Sequence, residues 1–545
     1  MQKGHKRVNR LNYDFHSRRS MISARRGMVG ASNPLAAQAG LNILRRGGNA
    51  ADAAIATSAV MNVTEPGSCG IGGDCFALYY DAASGQVSAL NGSGRAPAAL
   101  SLERVRELGW ARMAPFHAHS VTVPGAVRGW HDLLARHGTM RLADVLVDAI
   151  HYAADGFPTA PVAGTRWRRN QAFLRSADNA EEYLPAGDAP QAGQVVCLPG
   201  LAKTLRAIAA GGPDAFYTGA VAEAIVNSLA ERGGLMSLDD LKNHRSTWDE
   251  PIHTDYRGIT VVECPPNGQG LTALIALNIA EQCDLGAQVW DSPQRIHLMV
   301  ESMRLAWADA HEYIADMRQA EVPVAALLSK EYAARRASLI ANDSTMASPP
   351  SPGELPGGSD TIYLSVVDGA GNACSFIKSL YMGFGVGIVA KGTGVWLQNR
   401  GAGFSLRAGH RNCLAPGKRP YHTIIPGLAL KDGRLWASFG VMGGFMQPQG
   451  HFQVLSGLVD DGLNPQEALD RPRWHIKDGS PGGELLVEAG LPYATLTALA
   501  SMGHRLVPIG GLGRGVFGRG QVIRYVDGVL HGGSEPRADG QIAAF

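Results

Sequence analysis

The spacing of apolar and polar positions changes character along the chain, and the changes mark out its elements. Asn33-Pro34 opens a helical stretch with proline in its first turn; Leu35, Leu41 and Leu44 give it an apolar face, and Gly47-Gly48 closes it. Asn49, with Asp52 three residues on, predicts the capped start of an alanine-rich helix running to about Met61. Phe76 to Tyr80 and Val87 to Leu90 alternate as strands, joined by a turn at Ala82 to Gly85. From about Ala126 to Tyr332 the pattern is mostly helical, with loops at Pro185 to Gly193 and Cys264 to Gly270. Beyond residue 360 short strands dominate: Thr361 to Asp368, Ala373 to Ile377, Val395 to Leu397, Gly427 to Leu430, Leu435 to Phe439 and Gln521 to Val526. Helices starting at Asn464-Pro465 and running over Leu491 to Met502 interrupt them. Segregated rather than alternating elements predict an α+β layered fold.

The switch occurs at a compositional break. Ser344 to Asp360 holds four prolines, three glycines and four serines in 17 residues, which predicts an exposed flexible loop. Residues 1–26 are basic and polar without an apolar core, and predict a disordered tail rather than a secretion signal. The 545 residues include 50 Lys+Arg and 48 Asp+Glu, so no charge field argues for nucleic acid. No apolar run is long enough to span a membrane. The seven cysteines are dispersed without a CxxC, which suits free thiols and a cytoplasmic location. Glycine, at 68 residues, far exceeds ordinary usage of ~7%. Tight turns and close backbone approaches must therefore be frequent.

Several motifs compete for the chemistry. Gly513 to Gly518 fits GxGxxG, but a strand rather than a helix follows, so a glycine-rich loop is the better reading than a nucleotide site. His117 and His119 form an HxH pair without a third ligand cluster, so a metal-dependent amidohydrolase is only a competing class. No GxSxG stands at a strand–helix junction. Thr361 begins a strand straight after the flexible loop. Cleavage of Asp360–Thr361 would give it a free α-amine able to take the proton from its own hydroxyl. On the local sequence alone, an ordinary β-branched strand residue after a linker is the better reading.

A larger pattern bears on that choice. GMVGASNPLAAQAGLNILRRGGNAADAAIA from Gly27, EPGSCGIGGDCF, GRAP, Val123-Pro124-Gly125 and Pro265-Pro266-Asn267-Gly268 resemble the large subunit of the gamma-glutamyltransferase (glutathione hydrolase) family. TIYLSVVDGAGNACSF at Thr361 resembles the start of its small subunit, and GFGVGIV, LQNRGAGFS, GKRPYHTIIPG, Gly443-Gly444 and GGSEPRADG follow in the family's order. The resemblance implies a four-layer αββα sandwich of the N-terminal nucleophile (Ntn) hydrolase type. It implies a proenzyme that cuts itself at Asp360–Thr361 into a large subunit (27–360, with 344–360 as the pre-cleavage loop) and a small subunit (361–545). These would assemble as a heterodimer or a pair of heterodimers. It further implies Thr361 as nucleophile, Ser379 as its supporting hydroxyl, Gly443 and Gly444 as the oxyanion hole, and no cofactor or metal.

Three positions depart from the glutathione-cleaving members. The carboxylate-binding arginine is replaced by Ser93, the amine-binding acid by Gly403, and the serine pair by His422-Thr423. The resemblance places Arg95, Tyr381, Arg400, His422 and Thr423 in the substrate pocket, where two guanidinium groups and an imidazole would meet an anionic acyl group with positive charge; their segments look like the branch containing oxamate amidohydrolase and cephalosporin acylases. That branch implies a small-molecule amide substrate whose acyl half carries a carboxylate; gamma-glutamyl transfer or hydrolysis is the alternative.

Overall fold

The computed structural model describes residues 19–346 and 360–545, Asp360 through its backbone only. Two seven-stranded antiparallel sheets form its centre. One runs, edge to edge, Ile22–Ala24, Val529–Ser534, Arg519–Val526, Arg434–Met442, Gly427–Lys431, Ile259–Glu263 and Ile252–Tyr256. The other runs Gln541–Ala544, Met28–Ala31, Asp360–Val367, Ala373–Tyr381, Asp74–Tyr80, Val87–Gly92 and Thr247–Asp249. Both sheets mix strands from either side of residue 360, so the two halves share one core.

Helices cover each outer face. Pro34–Arg45, Ala50–Thr64 and Ala126–His137 pack on the second sheet, and Gly270–Glu281, Pro293–Tyr313 and Met446–Val459 on the first. Between the sheets lies a third apolar cluster that includes Phe76, Val262, Tyr363, Ile377, Leu428 and Ile523. This is the four-layer αββα sandwich. Each fully buried side chain of this size contributes about 1.5–3 kcal/mol.

The helix signals at Asn33 and Asn49 are realised. Asn33 accepts from Leu35 N, and Asn49 and Asp52 form a reciprocal capping box. Asp52 also accepts from the Thr139 and Met140 amides, tying this cap to the end of the Ala126–His137 helix. The second helix runs to Thr64, past the expected end at Met61, and is buried on every side. Ordered structure begins ahead of Gly27. Ile22–Ala24 is an edge strand and Arg26 N bonds Phe545 O, so the tail expected over residues 1–26 does not extend to residues 19–26; residues 1–18 lie outside the described residues. Of the expected loop 344–360, Thr345 N bonds Met502 O and Met346 N bonds Glu301, while 347–359 lie outside the described residues.

Strand periodicity places the chemistry. In Asp360–Val367 the even positions Ile362, Leu364 and Val366 pack toward the helices and Tyr363 and Val367 between the sheets. Thr361 shares the inner parity. On the neighbouring strand Ile377, Ser379 and Tyr381 share it too. Lys378 points outward, its Nζ 4.2 Å above the Trp130 ring.

Candidate active site

Thr361 lies opposite Ser379 in the antiparallel ladder, and the register shifts between Asp360 and Thr361. Such bulges re-aim a side chain and interrupt pairing, here at the bond expected to break. Thr361 is buried, and its Oγ1 donates to Ser379 Oγ at 3.2 Å. Ser379 Oγ also accepts from Tyr381 N (2.8 Å) and Arg400 Nη2 (3.0 Å). The last turn of that strand is strained: Tyr381 has φ +80°, a left-handed conformation that costs a non-glycine residue about 1–3 kcal/mol. Strain of this kind survives where surrounding contacts hold it, and here it brings the Tyr381 amide onto Ser379.

Arg400 opens the short 3₁₀ turn Arg400–Gly403 and is wholly buried. Nη1 donates to Thr423 Oγ1 at 2.8 Å and the guanidinium carbon lies 4.2 Å from the Tyr381 ring centroid. Among the described residues it has no ion-pair partner, and Nε has no acceptor. Burial pushes its pKa down to about 10, opposed by the nearby Tyr381 and Asp74. It remains a full cation at neutral pH.

His422 behaves otherwise. Its Nε2 lies 3.0 Å from Asp74 Oδ2, and its Nδ1 meets the Ile424 amide at 3.3 Å. Donation by the first nitrogen and acceptance by the second require a neutral ring. Burial, then the field of Arg400, hold its pKa down to about 3. The positive charge expected of His422 is therefore absent. Its role is to join Asp74 to the strand end; Asp74 Oδ1 in turn holds the Gly94 and Gly125 amides and Gln398 Nε2.

Arg95 also departs from expectation. Its guanidinium donates to the Arg245 carbonyl, and its charged neighbours are Asp316, Arg318 and Asp249. Neither this hydrogen bond nor these neighbours involve Arg400. Ser93 stays closer, with Oγ bonded to Asn91 Oδ1 and contacted by Asn267 Nδ2, while the Asn267 carbonyl accepts from His422 N. Gly403 packs against the Tyr421 carbonyl, 2.8 Å from where a Cβ would lie, so a side chain there would force the backbone to shift. His117 and His119 serve their own turn, with His119 N donating to His117 Nδ1.

Gly443 (φ +140°) and Gly444 (φ +60°) follow the Arg434–Met442 strand and lead into Met446–Val459. Their carbonyls accept from Met446 N and Gln447 N. Gln269 Nε2 reaches Gly444 O at 2.8 Å and also bonds Thr423 O; Tyr421 OH fixes Gln269 through its Oε1. Among the described residues neither glycine N–H has a backbone acceptor. A pair of oriented amides at a helix start can receive a developing oxyanion. Asp74, Gln269, Gln398 and the Arg519–Glu65 pair, whose Arg519 Nη2 lies 3.3 Å from the Thr361 carbonyl, are not among the residues the sequence predicts. The GIGGD and PPNGQG glycines next to Asp74 and Gln269 were the available signals.

Comparison with known proteins shows the family and the fold. The Gamma-glutamyltranspeptidase family model matches residues 36–545. The chain is 37% identical over 519 residues to the glutathione hydrolase-like YwrD proenzyme of Bacillus subtilis, covering 94% of this chain and 97% of that one. It is 36% identical over 530 residues to the oxamate amidohydrolase proenzyme of Klebsiella pneumoniae, covering 95% and 98%. The crystal structure of cephalosporin acylase from Bacillus halodurans superposes with a TM-score of 0.91 at 44% identity, over 99% of both chains. The chain belongs to the gamma-glutamyltranspeptidase family of Ntn-hydrolase enzymes, which break or transfer amide bonds.

Proposed function

We propose that this protein is a self-processing N-terminal-threonine amidohydrolase acting on amides whose acyl half carries a carboxylate. In the precursor, Thr361 Oγ1 attacks the Asp360 carbonyl carbon, the C–N bond breaks, and the acyl group passes to oxygen. Water opens that ester, leaving a carboxylate on Asp360 and a free amine on Thr361, with fragments of 360 and 185 residues. In the mature enzyme the amine takes the proton from Oγ1 as that oxygen attacks the substrate. Ser379 Oγ holds Oγ1 in place, and the Gly443 and Gly444 amides meet the oxyanion. The amine product leaves protonated, and water resolves the acyl-enzyme.

Arg400 carries the choice of acyl group. A buried guanidinium without a carboxylate costs several kcal/mol. Three of its five N–H donors are left after Thr423 and Ser379 are served. A substrate carboxylate reaching it supplies the missing counter-charge. Gly403 offers no acid for an α-amine, which weighs against γ-glutamyl compounds. Tyr381, Arg400 and His422 fill the space around the turn, which favours short acyl groups such as oxamyl over glutaryl. Two measurements test the reading: N-terminal sequencing of the purified protein, and kcat/KM for oxamate, glutaryl amides and γ-glutamyl amides on one preparation. A chain that stays whole while turning over substrate refutes the processing step. A clear preference for γ-glutamyl amides refutes the acyl assignment and restores the glutathione-hydrolase alternative.

A further inference from the structure

Two helices that share the apolar cluster outside the first sheet bring two histidines and a carboxylate together. His297 and Glu301 stand four residues apart in Pro293–Tyr313, so they lie on one face of that helix. The third member, His504, follows the helix Tyr493–Ser501. Gly503, at φ +99°, ends that helix, and His504 N bonds Leu499 O across the turn, the 6→1 bond of a Schellman cap. This cap fixes where the His504 side chain leaves the backbone. All three side chains are buried, and one nitrogen or oxygen from each lies within 4.8 Å of those of the other two.

Each group is held ready to bind a cation. His297 Nε2 lies 2.8 Å from the Ala341 carbonyl, which only accepts, so that nitrogen carries the proton and the Nδ1 lone pair faces His504. A backbone carbonyl on the far nitrogen is how ligating histidines are commonly oriented. His504 Nε2 stands 2.9 Å from His297 Nδ1, and His504 Nδ1 is buried without a hydrogen-bond partner. Burial, then the fields of His297 and Arg304, push the His504 pKa down to about 3, so its ring is neutral. Glu301 Oε2 accepts from Met346 N at 3.0 Å. Its Oε1 faces Arg304 Nε at 3.2 Å without an aligned hydrogen bond, while the rest of that guanidinium donates to the Pro481 and Gly483 carbonyls. A carboxylate has about four lone-pair sites, so Glu301 keeps capacity for a further ligand.

We infer that His297 Nδ1, Glu301 and His504 Nε2 form a structural site for a divalent transition metal of zinc's chemistry. Two imidazoles and a carboxylate suit such an ion, whereas calcium and magnesium take oxygen shells. Zinc–nitrogen bonds at a tetrahedral angle set the two nitrogens about 3.3 Å apart, so the rings part by only a few tenths of an ångström from their 2.9 Å spacing. Burial of all three ligands makes the role structural. The site stands where the segment Thr345–Met346 crosses it, with Thr345 N on Met502 O and Met346 N on Glu301. On the self-processing reading His297 and Glu301 belong to fragment 1–360 and His504 to fragment 361–545, so the metal clamps the two fragments together. The clamp rests on that reading; the site does not.

The test strips the full-length protein with a chelator, dialyses it and titrates it with Co²⁺ and with Zn²⁺ at micromolar concentration. Wild type should take up one metal per chain, develop the visible absorption of four-coordinate Co²⁺, lose it to Zn²⁺, and melt several degrees higher with Zn²⁺ present. Glu301→Gln and His504→Gln should each bind at least tenfold more weakly and lose the absorption. The double variant His117→Gln/His119→Gln, which removes the HxH pair, should bind like wild type. Wild type that takes up neither metal refutes the site without recourse to any variant. Uptake unchanged in both Glu301→Gln and His504→Gln, or abolished in the His117/His119 variant, refutes it as well. Thr361→Ala is titrated alongside. Uptake by this uncleaved chain supports the site whether or not the wild type processes itself, and a wild type that remains one chain overturns only the clamp. In the cleaved protein Zn²⁺ should slow separation of the fragments in urea severalfold; equal rates with and without Zn²⁺ overturn the clamp.

Discussion

Replacing Arg400 by methionine keeps the length of the side chain and removes its charge and all five donors. Three consequences follow from its contacts. The first is loss of the charge-assisted contact to the substrate carboxylate, worth about 1.5–3 kcal/mol. At 1.4 kcal/mol per tenfold that raises KM for oxamyl or glutaryl amides about 10- to 150-fold. The second is loss of the 3.0 Å bond to Ser379 Oγ, which acts on every substrate alike because Ser379 holds the nucleophile. A hydrogen bond from a charged donor contributes about 1.5–3 kcal/mol, so kcat falls about tenfold or more for anionic and neutral amides together. The third is relief of a buried cation that has no ion pair among the described residues, which offsets the lost bond to Thr423, so unfolding free energy changes little. The assay is steady-state kinetics on a paired series, glutaryl anilide against pentanoyl anilide, with a denaturant melt for each protein. The expected signature is a KM effect at least tenfold larger for the anionic member. Equal KM changes on both members refute the carboxylate role and leave Arg400 as a brace for Ser379.

Thr361→Ala should remain one 545-residue chain by intact mass, whereas Thr361→Ser should still yield the two fragments. Gly443→Val places a branched side chain at φ +140° against Gly518, and should lower kcat about 10²–10³-fold in soluble protein. Wild-type rates there would remove the oxyanion role. Asp74→Ala strips His422, Gln398 and two backbone amides of a buried acceptor; each unsatisfied buried donor costs about 1–3 kcal/mol, so unfolding free energy, measured by denaturant melt, should fall by several kcal/mol. His422, with its pKa depressed to about 3, protonates only in strong acid; KM for anionic amides should therefore show no His422 inflection between pH 5 and 8, and an inflection near 6.5 that disappears in His422→Asn would refute the neutral assignment.

Local signals were legible wherever one residue type settles one local bond. Asn33 and Asn49 capped the helices they announced because a side-chain acceptor two or three residues from an orphan N–H has few alternatives. The strand at Thr361 followed from its β-rich run after the loop, whereas Ser379 was implied only by the family resemblance and its pairing with Thr361 is set by the register of the ladder. The fold itself was legible through motif order spread over most of the chain. The first strand escaped notice because Ile22–Ala24 is a three-residue edge whose partner, Val529–Ser534, lies some five hundred residues away. No periodicity in a basic segment announces such a pairing.

The charges of the site were decided only by the tertiary structure. Arg95 and Arg400 look alike in sequence, each beside a glycine-rich stretch. Packing sends Arg95 to the Arg245 carbonyl and leaves Arg400 buried beside the nucleophile without an ion pair among the described residues. His422 stands in a basic segment, yet burial between Asp74 and Arg400 fixes it as neutral, because desolvation disfavours the charged ring more than one carboxylate favours it. A side chain's charge state and the direction it faces depend on what surrounds it in three dimensions. Residue types and local spacing are set by the sequence directly, whereas burial and counter-ions exist only once distant residues such as Glu65 and Arg519 are folded together.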